Sequence, residues 1–212
     1  MTSRTRHNLI TDIPGIRVGN VRNVQQRTGV TALVFDRPVV ASGSFLGGAP
    51  ALRENALLEP EMLVDGIHAI VLSGGSTYGL DATAGVQAWL REEFDALPTP
   101  DGQVRVPIVV QASLFDLVNG GDKDWGRYSP YAELGYQAAQ TASHGPFKLG
   151  TEGAGTGATT ATVRGGLGSA SAITSSGHTV AALMVVNAVG TATVGDGPHF
   201  WTAPFEQDDE FG

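Results

Sequence analysis

Cysteine is absent from this chain. That excludes a disulfide frame, a thiolate nucleophile and any cysteine-based metal site. Charge is also scarce, at 16% of 212 residues against roughly 25% in ordinary globular proteins. The deficit falls on the basic side: 13 Lys and Arg face 21 Asp and Glu, for a net charge of −8. No Lys/Arg cluster gives the concentrated basic face that phosphate backbones need, so a nucleic-acid partner is not expected. No apolar run approaches the length of a membrane span, and none follows the positively charged start as a secretory signal would require. The expected location is the cytoplasm.

What the chain has in excess is glycine, 29 of 212 residues, about twice the usual ~7%. Many small residues with few charges point to closely packed strands and helices and to extra buried surface in a subunit contact. The length allows a single layered domain over residues 1–212.

Residues 66–90 organise the rest. Ala69, Ile70, Val71 and Leu72 form a short uncharged run, the pattern of a strand buried on both faces. SGGSTY (residues 73–78) breaks it, and Ala82, Val86, Trp89 and Leu90 then fall on one stripe of an amphipathic helix ending in Arg91, Glu92 and Glu93. A turn of two glycines and two small hydroxyls lets backbone N–H groups and a helix N-terminus approach a ligand. The bland alternative is a tight corner with Tyr78 as a half-buried turn residue. No serine has glycine at both −2 and +2, so the nucleophile-elbow pattern is missing.

Elsewhere, residues 8–19 read as a strand, a Pro-Gly turn and a second strand, and residues 29–36 as a β-branched strand. Residues 51–64 read as a helix carrying Leu52, Leu57 and Leu58; 98–103 form a polar loop, followed by a strand over 107–110. Pro130 suits the first position of a helix running to about Ser143. Residues 165–194 alternate small and β-branched types across at least two strands, the clearest spanning 180–187. Helices between early strands and a strand-rich second half favour an α+β fold with mixed sheets.

Several groups are candidate sites. GAGTGA (residues 153–158) matches G-x-G-x-x-A, but no apolar strand precedes it and β-branched residues follow, so a dinucleotide site is not expected. The five histidines are dispersed, which gives no metal site, and no cofactor is implied. Asp116 follows an apolar run and reads either as a buried carboxylate or as a turn-capping residue. The acidic residues 208–210 read as a solvated tail. Asn187 closes an apolar strand, where an unpaired amide would lose about 1–3 kcal/mol; it either caps the strand end or presents its NH₂ to a site.

NLITDIPGIRVG (8–19), GVT (29–31), SGGSTYGLD (73–81), GAGTG (153–157), GGLGS (165–169) and VNAVG (186–190) occur in that order. Together they resemble the DmpA-type self-processing aminopeptidases, a family that includes β-peptidyl aminopeptidases and nylon-oligomer hydrolases. The resemblance implies a four-layer α-β-β-α sandwich of the DmpA and ornithine-acetyltransferase type, like that of N-terminal nucleophile hydrolases. It implies that Tyr78 and Asn187 are catalytic donors to an oxyanion, and that Gly74, Gly75 and Ser76 shape the substrate pocket. It further implies a nucleophilic Ser or Thr at the N-terminus of a β subunit cut from the same precursor, in a multimer of αβ units. Nothing after Gly190 resembles that nucleophile segment, so the chain reads as the larger α subunit. A lysine near the site of some nylon-oligomer hydrolases has no counterpart, Ala132 falling there. Two rival expectations are an acyltransferase of the ornithine-acetyltransferase type and a non-catalytic scaffold or binding protein.

Overall fold

A computed structural model describes residues 3–93, 97–98, 104–206 and 209. The strands are β1 (Ser3–Arg4), β2 (Ile16–Asn23), β3 (Thr28–Val39), β4 (Ala51–Arg53), β5 (Ile67–Ser73), β6 (Leu97–Pro98), β7 (Arg105–Val106), β8 (Val109–Ser113), β9 (Gly168–Ile173) and β10 (Thr179–Met184). Three helices accompany them: the single turn α1 (Ser76–Gly79), α2 (Ala82–Glu93) and α3 (Tyr131–Gln140). The main sheet has the order β2-β3-β5-β8-β4 and a smaller one the order β1-β9-β10. β5 and β8 are parallel and joined through α1 and α2, while the other pairs of the main sheet are antiparallel.

β3 is buried over eight consecutive residues, Thr28 to Phe35, because the sheet is covered on both faces there. On one face Val30, Ala32, Val34, Ala69, Val71 and Val109 meet α2 and α3. The helical stripe is realised as its spacing predicts: Ala82, Val86 and Leu90 are fully buried and Trp89 nearly so. The two helices cross with backbones touching. A Cβ on Gly85 would lie 1.7 Å from the Ala132 carbonyl oxygen, and one on Gly135 would lie 2.1 Å from that of Ala82. Ala132 therefore belongs to this crossing. On the opposite face Phe35, Ile67 and Val110 pack with Ile16, Ile70 and Ile108.

The smaller sheet is bound to the rest through Asp12. Its carboxylate accepts the Leu9 and His7 N–H groups at 3.1 Å and the Ser171 hydroxyl at 2.8 Å. Burial pushes this carboxyl up, but those hydrogen bonds outweigh it and hold the pKa at about 2. Neither β9 nor β10 contains a fully buried residue, so this sheet has a face that the described residues do not cover.

Three expectations change. Residues 51–64 form β4 and a 3-10 turn, Asn55–Leu58, not a helix. Glu54 adopts φ 57°, Pro60 holds Glu59 extended, and the segment pairs along the free edge of β8. Residues 10–12 form a 3-10 turn where a strand was expected, because Asp12 draws the local N–H groups onto its side chain. β10 ends at Met184, three residues short of Asn187. Of the loop over 98–103, Pro98 pairs within β6 and the rest lies outside the described residues, as does most of the acidic tail.

His68 is fully buried on β5; its Nδ1 accepts the Ile108 N–H at 3.1 Å and its Nε2 has no partner. Burial lowers its pKa below 6.5. The unfolded chain therefore binds a proton that the folded one resists. Stability should be full above pH ~6.5 and decline as pH falls below it, by at most about 1.4 kcal/mol per pH unit. Urea unfolding at pH 7.5 and 5.5 checks this; substitution of His68 by Asn should flatten that part of the profile.

Candidate active site

At the end of β5 the chain reverses through Gly74, Gly75 and Ser76. Gly75 (φ 86°) and Ser76 (φ 53°) are both left-handed, a conformation costing a non-glycine residue roughly 1 kcal/mol or more. All three N–H groups are committed: Gly74 to the Gly29 oxygen at 3.0 Å, Ser76 to the Leu114 oxygen at 2.8 Å, and Gly75 to Asp116 Oδ1 at 2.7 Å. These N–H groups are thus bonded within the chain, and α1 is a single turn of four residues. Gly74 and Gly75 are buried and Ser76 half-buried.

Tyr78, two residues on, is 51% exposed. Its ring meets Trp125 edge-on, centroids 5.5 Å apart, and Trp125 in turn meets Tyr131 at 6.0 Å. Beside it lies a groove of about 560 Å³ whose lining includes Asp81, Lys123, Trp125, Arg127 and Tyr128. Burial pushes the Lys123 ammonium down, the Asp116 charge pulls it up, and its Nζ donates to the Gln26 carbonyl.

Asn187 is solvent-exposed beyond β10, and its Oδ1 accepts the Phe115 N–H at 3.0 Å. That bond fixes the carboxamide and leaves the NH₂ unused among the described residues. The oxygen thereby ties residue 187 to the segment that follows β8. Asn187 and the Tyr78 turn are anchored on consecutive residues, since Leu114 accepts Ser76, Phe115 donates to Asn187, and Asp116 accepts Gly75.

Asp116 is 1% exposed, so it is both buried and turn-capping. Gln111, equally buried, is a second support that sequence reading missed. Its Nε2 donates to the Gly79 carbonyl at 2.6 Å and its Oε1 accepts the Thr83 N–H at 3.0 Å, which locks α1 to the start of α2. A polar residue inside an apolar strand (VVQAS) was the available signal. The GAGTG segment is a 3-10 turn, Gly153–Gly155, packed on β3, with Ala154 N–H donating to Thr31 Oγ1 at 3.0 Å. No strand-turn-helix unit surrounds it, so the nucleotide fingerprint is a packing motif. Among the described residues no three His, Asp or Glu side chains converge as metal ligands would, and no helix is long and apolar enough to cross a membrane.

The mixed sheets and their helical cover define an α+β protein. Two solved structures share the fold. A Burkholderia sp. β-aminopeptidase aligns with TM-score 0.67 at 25% identity, over 91% of this chain and 56% of that one. The L-aminopeptidase D-Ala-esterase/amidase from Ochrobactrum anthropi, described as a variant of the Ntn hydrolase fold, aligns with TM-score 0.71 at 21% identity, over 90% and 56%. Residues 8–208 match peptidase family S58, and the chain belongs to that family. An uncharacterized aminopeptidase of Mycobacterium tuberculosis is 40% identical over 191 residues, 86% of this chain and 54% of the relative. A 6-aminohexanoate-oligomer endohydrolase of Kocuria sp. is 31% identical over 153 residues, 72% and 39%. The chain spans about half the length, or less, of the curated relatives it matches.

Proposed function

We propose that this chain is the α fragment of a self-processing amide hydrolase whose nucleophile is the N-terminal Ser or Thr of a companion fragment from the same precursor. The carrying observation is the shared anchorage of Tyr78 and Asn187 on residues 114–116, with a phenol O–H and a carboxamide N–H left to donate. The companion's hydroxyl attacks the amide carbonyl while its own α-amine takes the proton. Tyr78 and Asn187 donate to the tetrahedral oxyanion. Collapse breaks the C–N bond, the amine leaves with that proton, and water then hydrolyses the acyl ester. Gly74, Gly75 and Ser76 set the floor of the site.

The uncovered sheet supports a companion fragment. Val180 (57% exposed), Met184 (61%), Val186 (59%), Trp201 (62%) and Phe205 (80%) place apolar area in solvent within one stretch of chain. The companion is expected to cover it, in a multimer of αβ units. Family membership and the printed activities of the relatives favour peptides or oligoamides as substrates.

Expression of the full coding sequence should yield two polypeptides by intact mass, the smaller beginning with Ser or Thr. The pair should release p-nitroaniline from an amino-acid p-nitroanilide or shorten a 6-aminohexanoate oligomer. A single uncut chain inactive on both substrates would overturn the reading.

A further inference from the structure

Beneath the Gly-Gly turn lies a carboxylate that the proposed chemistry does not use. Asp116 Oδ1 accepts the Gly75 N–H at 2.7 Å, and Oδ2 accepts the Thr28 hydroxyl at 2.6 Å. Thr28 Oγ1 lies 3.0 Å from the Tyr131 hydroxyl. Two missing side chains make the niche. A Cβ on Gly74 would fall 1.9 Å from Asp116 Oδ2, and a Cβ on Gly157 would fall 2.3 Å from it. The SGG turn, the GAGTG segment and β3 therefore close around one group.

The contacts form a ring. From Asp116 one path runs through the Gly75 N–H along the turn to Tyr78. The other runs through Thr28 to Tyr131, whose ring underlies Gly75 (a Cβ there would be 2.2 Å from Tyr131 Cζ), and on through Trp125 to the same Tyr78. Burial first, and then the Asp116 charge, push the Tyr131 phenol up, so it stays a neutral hydroxyl within the ring. The Lys123 ammonium faces the Asp116 charge, and the Arg27 guanidinium faces Lys123.

We infer that Asp116 is a positioning residue for Tyr78: its carboxylate holds Gly75 and Ser76 in the left-handed turn from which the phenol projects. As a catalytic statement this rests on the proposed oxyanion role of Tyr78, whereas the geometric statement stands without it. A half-exposed ring on a strained turn would otherwise sample several orientations, and misplacement of a donor by about 1 Å can lower turnover about 100-fold.

The test uses the full-length processed protein carrying 3-fluorotyrosine, with the Tyr78 resonance assigned by Tyr78→Phe. In Asp116→Asn, which keeps the side-chain shape but whose single oxygen replaces the two that accept from the Gly75 N–H and the Thr28 hydroxyl, the Tyr78 resonance should move towards that of free tyrosine while that of Tyr136 stays fixed. On an amino-acid p-nitroanilide kcat should fall about tenfold or more, with KM changed less than about threefold. Thr28→Val, which removes one arm of the ring at nearly constant volume, is the second variant should Asp116→Asn fail to fold; Thr28→Ser should restore both readouts. An unmoved Tyr78 resonance in folded Asp116→Asn or Thr28→Val overturns the inference. Inactive wild type would defeat the hydrolase reading alone, the fluorine spectra still deciding the geometry. Active wild type with unchanged spectra and kcat would defeat this inference alone.

Discussion

Replacing Asn187 with alanine is expected to lower kcat on an amino-acid p-nitroanilide by about 100- to 1000-fold, the usual consequence of removing one preorganised oxyanion donor. Tyr78→Phe should act in the same range. KM should move little in either, because a donor to the oxyanion acts on the transition state and not on the ground-state carbonyl. Folding should survive both changes. Asn187 is exposed and holds one backbone bond, to Phe115 at 3.0 Å, and Tyr78→Phe keeps the ring against Trp125. The double variant should lose less than the product of the two factors, since both donors serve one oxygen. Full turnover in either single variant removes that residue from the site.

Gly85→Leu is expected to be the most damaging single change to stability. The Gly85 Cα approaches α3 so closely that even one carbon would sit 1.7 Å from the Ala132 carbonyl oxygen and 2.5 Å from the Tyr136 nitrogen. These neighbours are backbone, so only a separation of the two helices can make room. That separation would strip contact from Val86, Leu90, Leu134 and Ala138, all in one buried cluster. Overpacking of this kind costs up to about 3 kcal/mol, and occasionally more. At this chain length that corresponds to a drop of roughly 6–12 °C in Tm, measurable by calorimetry on the purified protein. Gly47→Leu, where an added Cβ meets nothing within 4 Å, serves as an exposed comparison with strain from its positive φ only.

How far the chain could be read in advance depends on the range of the interactions involved. The α2 stripe and the β3 and β5 strands were legible because hydrophobic spacing is local and each element buries the face its period predicts. Residues 51–64 carry three leucines without regular spacing, and the edge of β8 that recruits β4 is remote in sequence, so β4 was not legible. Tyr78 and Asn187 came from motif resemblance. That both hang on residues 114–116 could not have been read, for the bonds join positions 38 to 72 residues apart. The committed N–H groups of Gly74, Gly75 and Ser76 belong to the same class: the sequence shows a turn able to bind something, but not that Gly29, Leu114 and Asp116 already occupy it.

By itself, then, the sequence determined the buried strands β3 and β5, the α2 stripe, the family and the two candidate donors, since periodicity, turn chemistry and ordered motifs are properties of neighbouring residues. The tertiary structure alone decided that Asp116 is enclosed between Gly74 and Gly157, that β10 leaves an apolar face in solvent, and that the glycine-rich segment at 153–157 packs on a strand. Those outcomes depend on which remote atoms fill a given volume or satisfy a given donor, and folding settles that only when the whole sheet closes.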